Sequence, residues 1–115
     1  MHRDLKLANV LINNNQLVIG DFGFAKLNQS MANTKLGTPY YMAPELFVNS
    51  ADRKYNNKVD VWAIGVCLYI LLFGMVPFNG SQLEEIYNKT VTQSGSRLKL
   101  PKNIKISFET ENLLK

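Results

Sequence analysis

Apolar positions cluster early in the chain as Val10, Leu11 and Ile12, and again as Leu17, Val18 and Ile19, with a polar run at 13–16 between them. Two short aliphatic runs separated by residues that tolerate left-handed backbone predict a small β-hairpin. Folding that hairpin brings Asp4 and Asn9, which lie just before its first strand, to the same end as Asp21, just after its second. Residues 24–42 are mixed and polar with no clear period, the pattern of a loop long enough to carry function. Pro44 and Glu45 open a short helix through about residue 48, and 49–57 reads as a polar connector. The run 59–73 is hydrophobic nearly all round, which predicts a helix at the centre of the packing. Ser81 followed by Glu84 has the spacing of a capping box, so a helix is expected over 82–90 with Leu83, Ile86 and Tyr87 on one face. Residues 93–105 are loop-like around Pro101, and 107–115 begins another helix. No internal repeat or low-complexity stretch is visible.

Residues 61–83 carry no charge, which raises the question of a membrane span. Gly74, Pro77, Asn79 and Gly80 interrupt the stretch. Its continuous apolar part, 61–73, is much shorter than the roughly 20 residues needed to cross hydrocarbon, so a buried core helix is the better reading.

Composition narrows the class. The chain has 115 residues, 46% hydrophobic and 19% charged, which suits one folded domain or part of one and excludes a disordered tail. A net charge of +4 is a mild excess that favours anionic partners without pointing to nucleic acid. The single cysteine, Cys67, cannot form an internal disulfide and reads as core packing between Val66 and Leu68. The start at Met1, His2, Arg3 and Asp4 has no apolar signal region, so a cytoplasmic or nuclear location is expected.

The candidate chemistry lies in an ordered set of motifs. His2-Arg3-Asp4-Leu5-Lys6-Leu7-Ala8-Asn9 is followed by Asp21-Phe22-Gly23 and then by Ala43-Pro44-Glu45. This series resembles the catalytic loop and later signatures of eukaryotic-type protein kinases. The resemblance covers nearly the whole chain and implies an α+β fold: a protein-kinase-like C-terminal lobe, mainly helical with a small β-hairpin, with the N-terminal lobe absent. Residues 1–115 would then be a partial protein kinase domain.

Phosphoryl transfer is mostly positioning and charge neutralisation, which is why these residue types are needed. By resemblance, Asp4 accepts the proton of the substrate hydroxyl and Lys6 neutralises the transferring phosphoryl group. Asn9 and Asp21 supply oxygen ligands to Mg²⁺ and so help hold ATP. The implied cofactors are ATP and Mg²⁺. Lys6 two residues after Asp4, together with Gly37-Thr38-Pro39-Tyr40-Tyr41-Met42-Ala43-Pro44-Glu45, is the pattern of serine/threonine-specific kinases, with Gly37 and Thr38 on a substrate-facing loop. His2 is expected to be structural. Asp60-Val61-Trp62 resembles the start of the family's central helix, whose Asp braces the catalytic loop.

Arg3 and Lys26 match cations that, in related kinases, pair with a phosphorylated threonine, and Thr34 falls at the acceptor position. The implied partners are a protein substrate with a Ser/Thr acceptor and either an activating kinase or autophosphorylation; neither nucleic acid nor a membrane span is expected. Ala8 and Ile70 stand where kinases that prefer basic substrates often carry acidic groups. Residues 69–78 look most like the calmodulin-dependent and autophagy-initiating groups. The glycine-rich loop, the strand lysine and the hinge that contact ATP have no counterpart here, so the chain is expected to be a kinase fragment. A non-catalytic kinase lobe acting as an interaction module is the alternative.

Overall fold

In the computed structural model, residues 2–21, 39–47 and 56–115 are described. The predicted hairpin forms from β1 (Val10–Asn13) and β2 (Gln16–Ile19), paired antiparallel with Val10 opposite Ile19 and Asn13 opposite Gln16. Its two-residue turn is Asn14-Asn15, with φ of 47° and 61°. Both residues therefore take the left-handed backbone that a tight hairpin with matching strand twist requires and that Asn tolerates. The sheet has only these two strands among the described residues.

The long apolar run becomes α1 (Lys58–Phe73). It stops at Gly74, whose φ of 70° is left-handed and whose N–H donates to the Ile70 carbonyl at 2.8 Å, a glycine termination that satisfies a free carbonyl of the last turn. Val59, Ala63, Val66, Cys67, Tyr69 and Phe73 of α1 are buried and form the core with Leu5, Ala43, Phe78 and Ile86. The all-round burial expected of this helix is only partly realised. Val61, Ile64 and Leu71 are exposed, and Leu71 is 71% accessible. Trp62 stacks on Phe78 at 6.0 Å between ring centroids, and the two line a mostly apolar cavity of about 430 Å³ with Val66, Tyr69, Leu98 and Leu113.

The next helix, α2, runs Leu83–Gln93, and its start corrects the expected capping box. Gln82, in extended backbone, occupies the cap position, which places Ser81 one residue too early to pair with Glu84. The Ser81 N–H donates instead to Glu85 Oε2 at 2.9 Å, and its hydroxyl reaches the same oxygen at 3.3 Å. Lys89 closes this network, holding Glu85 at 2.8 Å and the Asn79 carbonyl at 2.7 Å. Ile86 is buried and Tyr87 half-buried as expected, while Leu83 is exposed.

The short helix expected from Pro44 is a single 3₁₀ turn, Pro44–Leu46, and residue 48 lies outside the described residues. A further 3₁₀ turn, Gly95–Arg97, leads through a segment that turns at Lys102 and Asn103 to α3 (Phe108–Leu114). The Ser107 hydroxyl caps α3 by accepting from the Thr110 N–H at 3.2 Å. Among the described residues, no helix is long and apolar enough to cross a membrane.

Two consequences are measurable. A Cβ at Gly80 would lie 2.9 Å from Ile86 Cγ1 and 3.1 Å from the Ile86 backbone nitrogen. Gly80→Ala should therefore destabilise the chain by about 1–3 kcal/mol, read as a lower denaturation midpoint. Burial also pushes the Cys67 thiol above its ordinary value of 9.0 and the Tyr69 hydroxyl above 10.0. The folded state keeps these protons at a pH where the unfolded chain has released them. Stability should hold up to about pH 9 and fall as pH rises through the folded values, which denaturant titrations across pH 8–11 will follow.

Candidate active site

The site is built on one loop, 2–9, held from below by α1. Asp60, in the first turn of α1, accepts the His2 N–H on Oδ2 at 2.8 Å and the Arg3 N–H on Oδ1 at 2.9 Å. Two consecutive amides reach one carboxylate because Arg3 takes a left-handed backbone, φ 72°. Alternating backbone handedness turns successive N–H groups to one side and makes an anion-binding nest. The conformation is costly for Arg, so the charged acceptor is what keeps the loop in it.

His2 ties this loop to the hairpin. Its Nδ1 accepts the Asp4 N–H at 3.3 Å, so Nε2 must carry the proton that it donates to the Gly20 carbonyl at 3.0 Å. The ring is thus the neutral Nε2–H tautomer. It is buried, and it spans from Asp4 to the residue just before Asp21. The expected structural role for His2 is what the geometry shows.

Asp4, Lys6 and Asn9 converge. Lys6 Nζ lies 3.0 Å from Asp4 Oδ2. Asn9, buried in the 3₁₀ turn Leu7–Asn9, donates from Nδ2 to the Asp4 carbonyl at 2.8 Å and to Asp4 Oδ2 at 3.2 Å. Both side-chain contacts of Asp4 therefore fall on one oxygen, and Oδ1 has no partner among the described residues. Because the amide nitrogen of Asn9 is turned to Asp4, its Oδ1 faces away as a carbonyl oxygen donor. Gly20 N–H donates to the Asn9 carbonyl at 2.8 Å, which continues the hairpin ladder by one step beyond Val10 and Ile19. Asp21, itself left-handed at φ 57°, follows Gly20 at this end of the hairpin.

Two contributors were not assigned from the sequence. One is the Gly20 carbonyl, a backbone group with no sequence signature. The other is Tyr41, in the 3₁₀ turn Pro39–Tyr41, whose hydroxyl meets the Leu7 backbone beside Lys6. Burial pushes that hydroxyl up, and the Leu7 hydrogen bond partly offsets the shift. Tyr41 stood within the quoted 37–45 string, which was the available signal. Lys26, Thr34, Gly37 and Thr38 lie outside the described residues. Arg3 is placed within the site loop.

Known proteins bear on this geometry. The protein kinase domain pattern matches residues 1–115, and the chain belongs to that family. It is 42% identical to serine/threonine-protein kinase ssp1 of Schizosaccharomyces pombe, with 100% of this chain and 19% of that protein aligned. It is 48% identical to serine/threonine-protein kinase plk-2 of Caenorhabditis elegans over 77% of this chain and 14% of that protein. It is 39% identical to serine/threonine-protein kinase SAPK2 of Oryza sativa subsp. japonica over 98% of this chain and 34% of that protein. The chain therefore spans between about a seventh and a third of the length of these relatives. Protein kinases generally use ATP with Mg²⁺.

The brace is open to direct test. Asp60→Ala strands two loop amides, and Asp60→Asn leaves one of them facing an amide donor. Each should cost on the order of 2 kcal/mol. Denaturant midpoints will read the loss, with faster hydrogen exchange at the His2 and Arg3 amides than in the parent chain.

Proposed function

We propose that the chain is the C-terminal-lobe part of a serine/threonine protein kinase that transfers the γ-phosphoryl group of ATP to Ser or Thr hydroxyls of proteins. The observation that carries this reading is the Asp4–Lys6–Asn9 cluster, formed on a loop that Asp60 and His2 hold in place. Asp4 presents Oδ1 to the acceptor hydroxyl and takes its proton, while Lys6 and Asn9 occupy Oδ2 and fix the carboxylate's orientation. Lys6 also brings positive charge to the transferring group. The Asn9 carbonyl oxygen and the Asp21 carboxylate are hard donors of the kind Mg²⁺ takes one or two at a time. They would hold the ion, and bound Mg·ATP would supply the phosphoryl group and the charge neutralisation for its transfer.

The rest of the assignment follows the family. Residues 1–115 form part of one kinase domain, with Gly37 and Thr38 facing substrate. Thr34 is the activation-loop phosphosite, modified by another kinase or by autophosphorylation, and Arg3 and Lys26 form its phosphate pocket. The protein acts in the cytoplasm or nucleus. A second reading, a non-catalytic kinase lobe that binds a partner, draws support from the apolar surface of the hairpin, where Ile12 is 78% and Leu17 75% exposed.

Phosphotransfer from labelled ATP to a generic protein substrate, assayed with the full product of this gene, separates the two. Asp4→Asn should lower the rate by about 10²- to 10⁴-fold, the usual range for loss of a general base. Asp21→Asn should lower the rate and raise the Mg²⁺ concentration needed for half-maximal transfer. Unchanged transfer in Asp4→Asn would overturn the catalytic reading.

A further inference from the structure

We infer that the segment after α2 is a docking strip for an acidic stretch of a partner protein, with Lys99, Lys102 and Lys105 as its contacts. Between residues 86 and 108 the chain carries Lys89, Arg97, Lys99, Lys102 and Lys105 and not one Asp or Glu. Two of these cations are already committed. Lys89 pairs with Glu85, and Arg97 Nη2 donates to the Val91 carbonyl at 3.2 Å in the last turn of α2. Lys99, Lys102 and Lys105 are exposed and have no carboxylate within ion-pair distance among the described residues. The apolar residues between them, Leu98, Leu100, Pro101, Ile104 and Ile106, are half-buried. The segment is therefore anchored by one set of side chains while the lysines face water.

The chemistry of the strip selects among anionic partners. Residues 94–107 contain no aromatic side chain or histidine, so there is no platform for stacking nucleic-acid bases. Three lysines also fall short of the charge cluster or inserted apolar face with which proteins hold anionic membranes. Lysine is a point charge with rotatable donors, which suits carboxylates arriving along an extended peptide and does not demand the planar fork of arginine. Lys105 lies six positions after Lys99, a reach of at most about 20 Å, shortened by the turn at Lys102 and Asn103, that a similar length of acidic chain can follow. The Arg97 contact fastens the strip to α2, and α2 packs against the Pro39–Tyr41 and Pro44–Leu46 turns beside the site. This inference does not depend on phosphotransfer by the chain.

Fluorescence anisotropy of a labelled peptide of alternating Glu and Ser, titrated with the chain, tests it. Binding should saturate and weaken as salt rises. The triple variant Lys99→Ala, Lys102→Ala, Lys105→Ala should raise Kd about tenfold, the sum expected of three exposed ion pairs. The triple Lys→Arg variant should bind like the parent, and thermal melts should match throughout because these side chains have no folded-state partners. Equal affinity of the alanine variant would overturn the inference. So would tighter binding of polyuridylate, or of phosphatidylserine vesicles, through the same lysines.

Discussion

The site rests on one electrostatic grip, the Asp60 carboxylate closed on the amides of His2 and Arg3. A left-handed arginine does not persist without compensation, and each amide bond to an ionised acceptor is stronger than one to a neutral group. Because Asp60 sits in the first turn of a helix whose buried face is the core, the rigidity of that core passes directly to the loop that bears Asp4. The acidic group also lies where a helix N-terminus favours negative charge. Packing, helix dipole and loop geometry thus converge on a single side chain.

From that fixed loop, hydrogen bonds carry the order outward. The neutral His2 ring connects the Asp4 amide to the Gly20 carbonyl, so the loop and the end of the hairpin keep a constant separation. Asn9 belongs to both parts: its side chain orients Asp4, and its backbone carbonyl accepts from Gly20. This arrangement explains how a hairpin with outward-facing apolar residues can still present Asp21 at a defined place. The hairpin's register is set by its tight Asn14-Asn15 turn and locked at the other end by His2.

Elsewhere the fold is less enclosed. The main helix packs against the Pro39–Tyr41 turn, α3 and Phe78 and leaves Val61, Ile64 and Leu71 in water. Sequence pattern could not anticipate this, because a run that is hydrophobic all round reports only that the helix suits a core and not which neighbours cover it. The misassigned cap has a similar origin. Ser81 with Glu84 and Ser81 with Glu85 are both plausible in sequence, and the choice turns on which residue adopts the extended cap backbone, here Gln82. Lys89 and Asn79 reinforce the outcome through a bond across ten residues.

The sequence by itself determined the hairpin and the three helices to within a few residues, and it offered Asp4, Lys6, Asn9 and Asp21 as candidates for one site, of which Asp4, Lys6 and Asn9 are in contact. These depend on local quantities: short aliphatic runs, Asn residues that tolerate a tight turn, glycine that breaks an apolar run, and motifs of fixed spacing. The family resemblance added Asp60 as a brace, but the pairing of each carboxylate oxygen with one amide is visible only in three dimensions. Tertiary structure alone decided which oxygen of Asp4 is occupied, which tautomer His2 adopts, the part played by the Gly20 carbonyl, and the placement of Tyr41 beside Leu7. Each of these is a contact between groups far apart in the chain or a choice between nearly equivalent atoms. Such choices are settled by distances of a fraction of an ångström, which follow from how the core packs rather than from which residues are present.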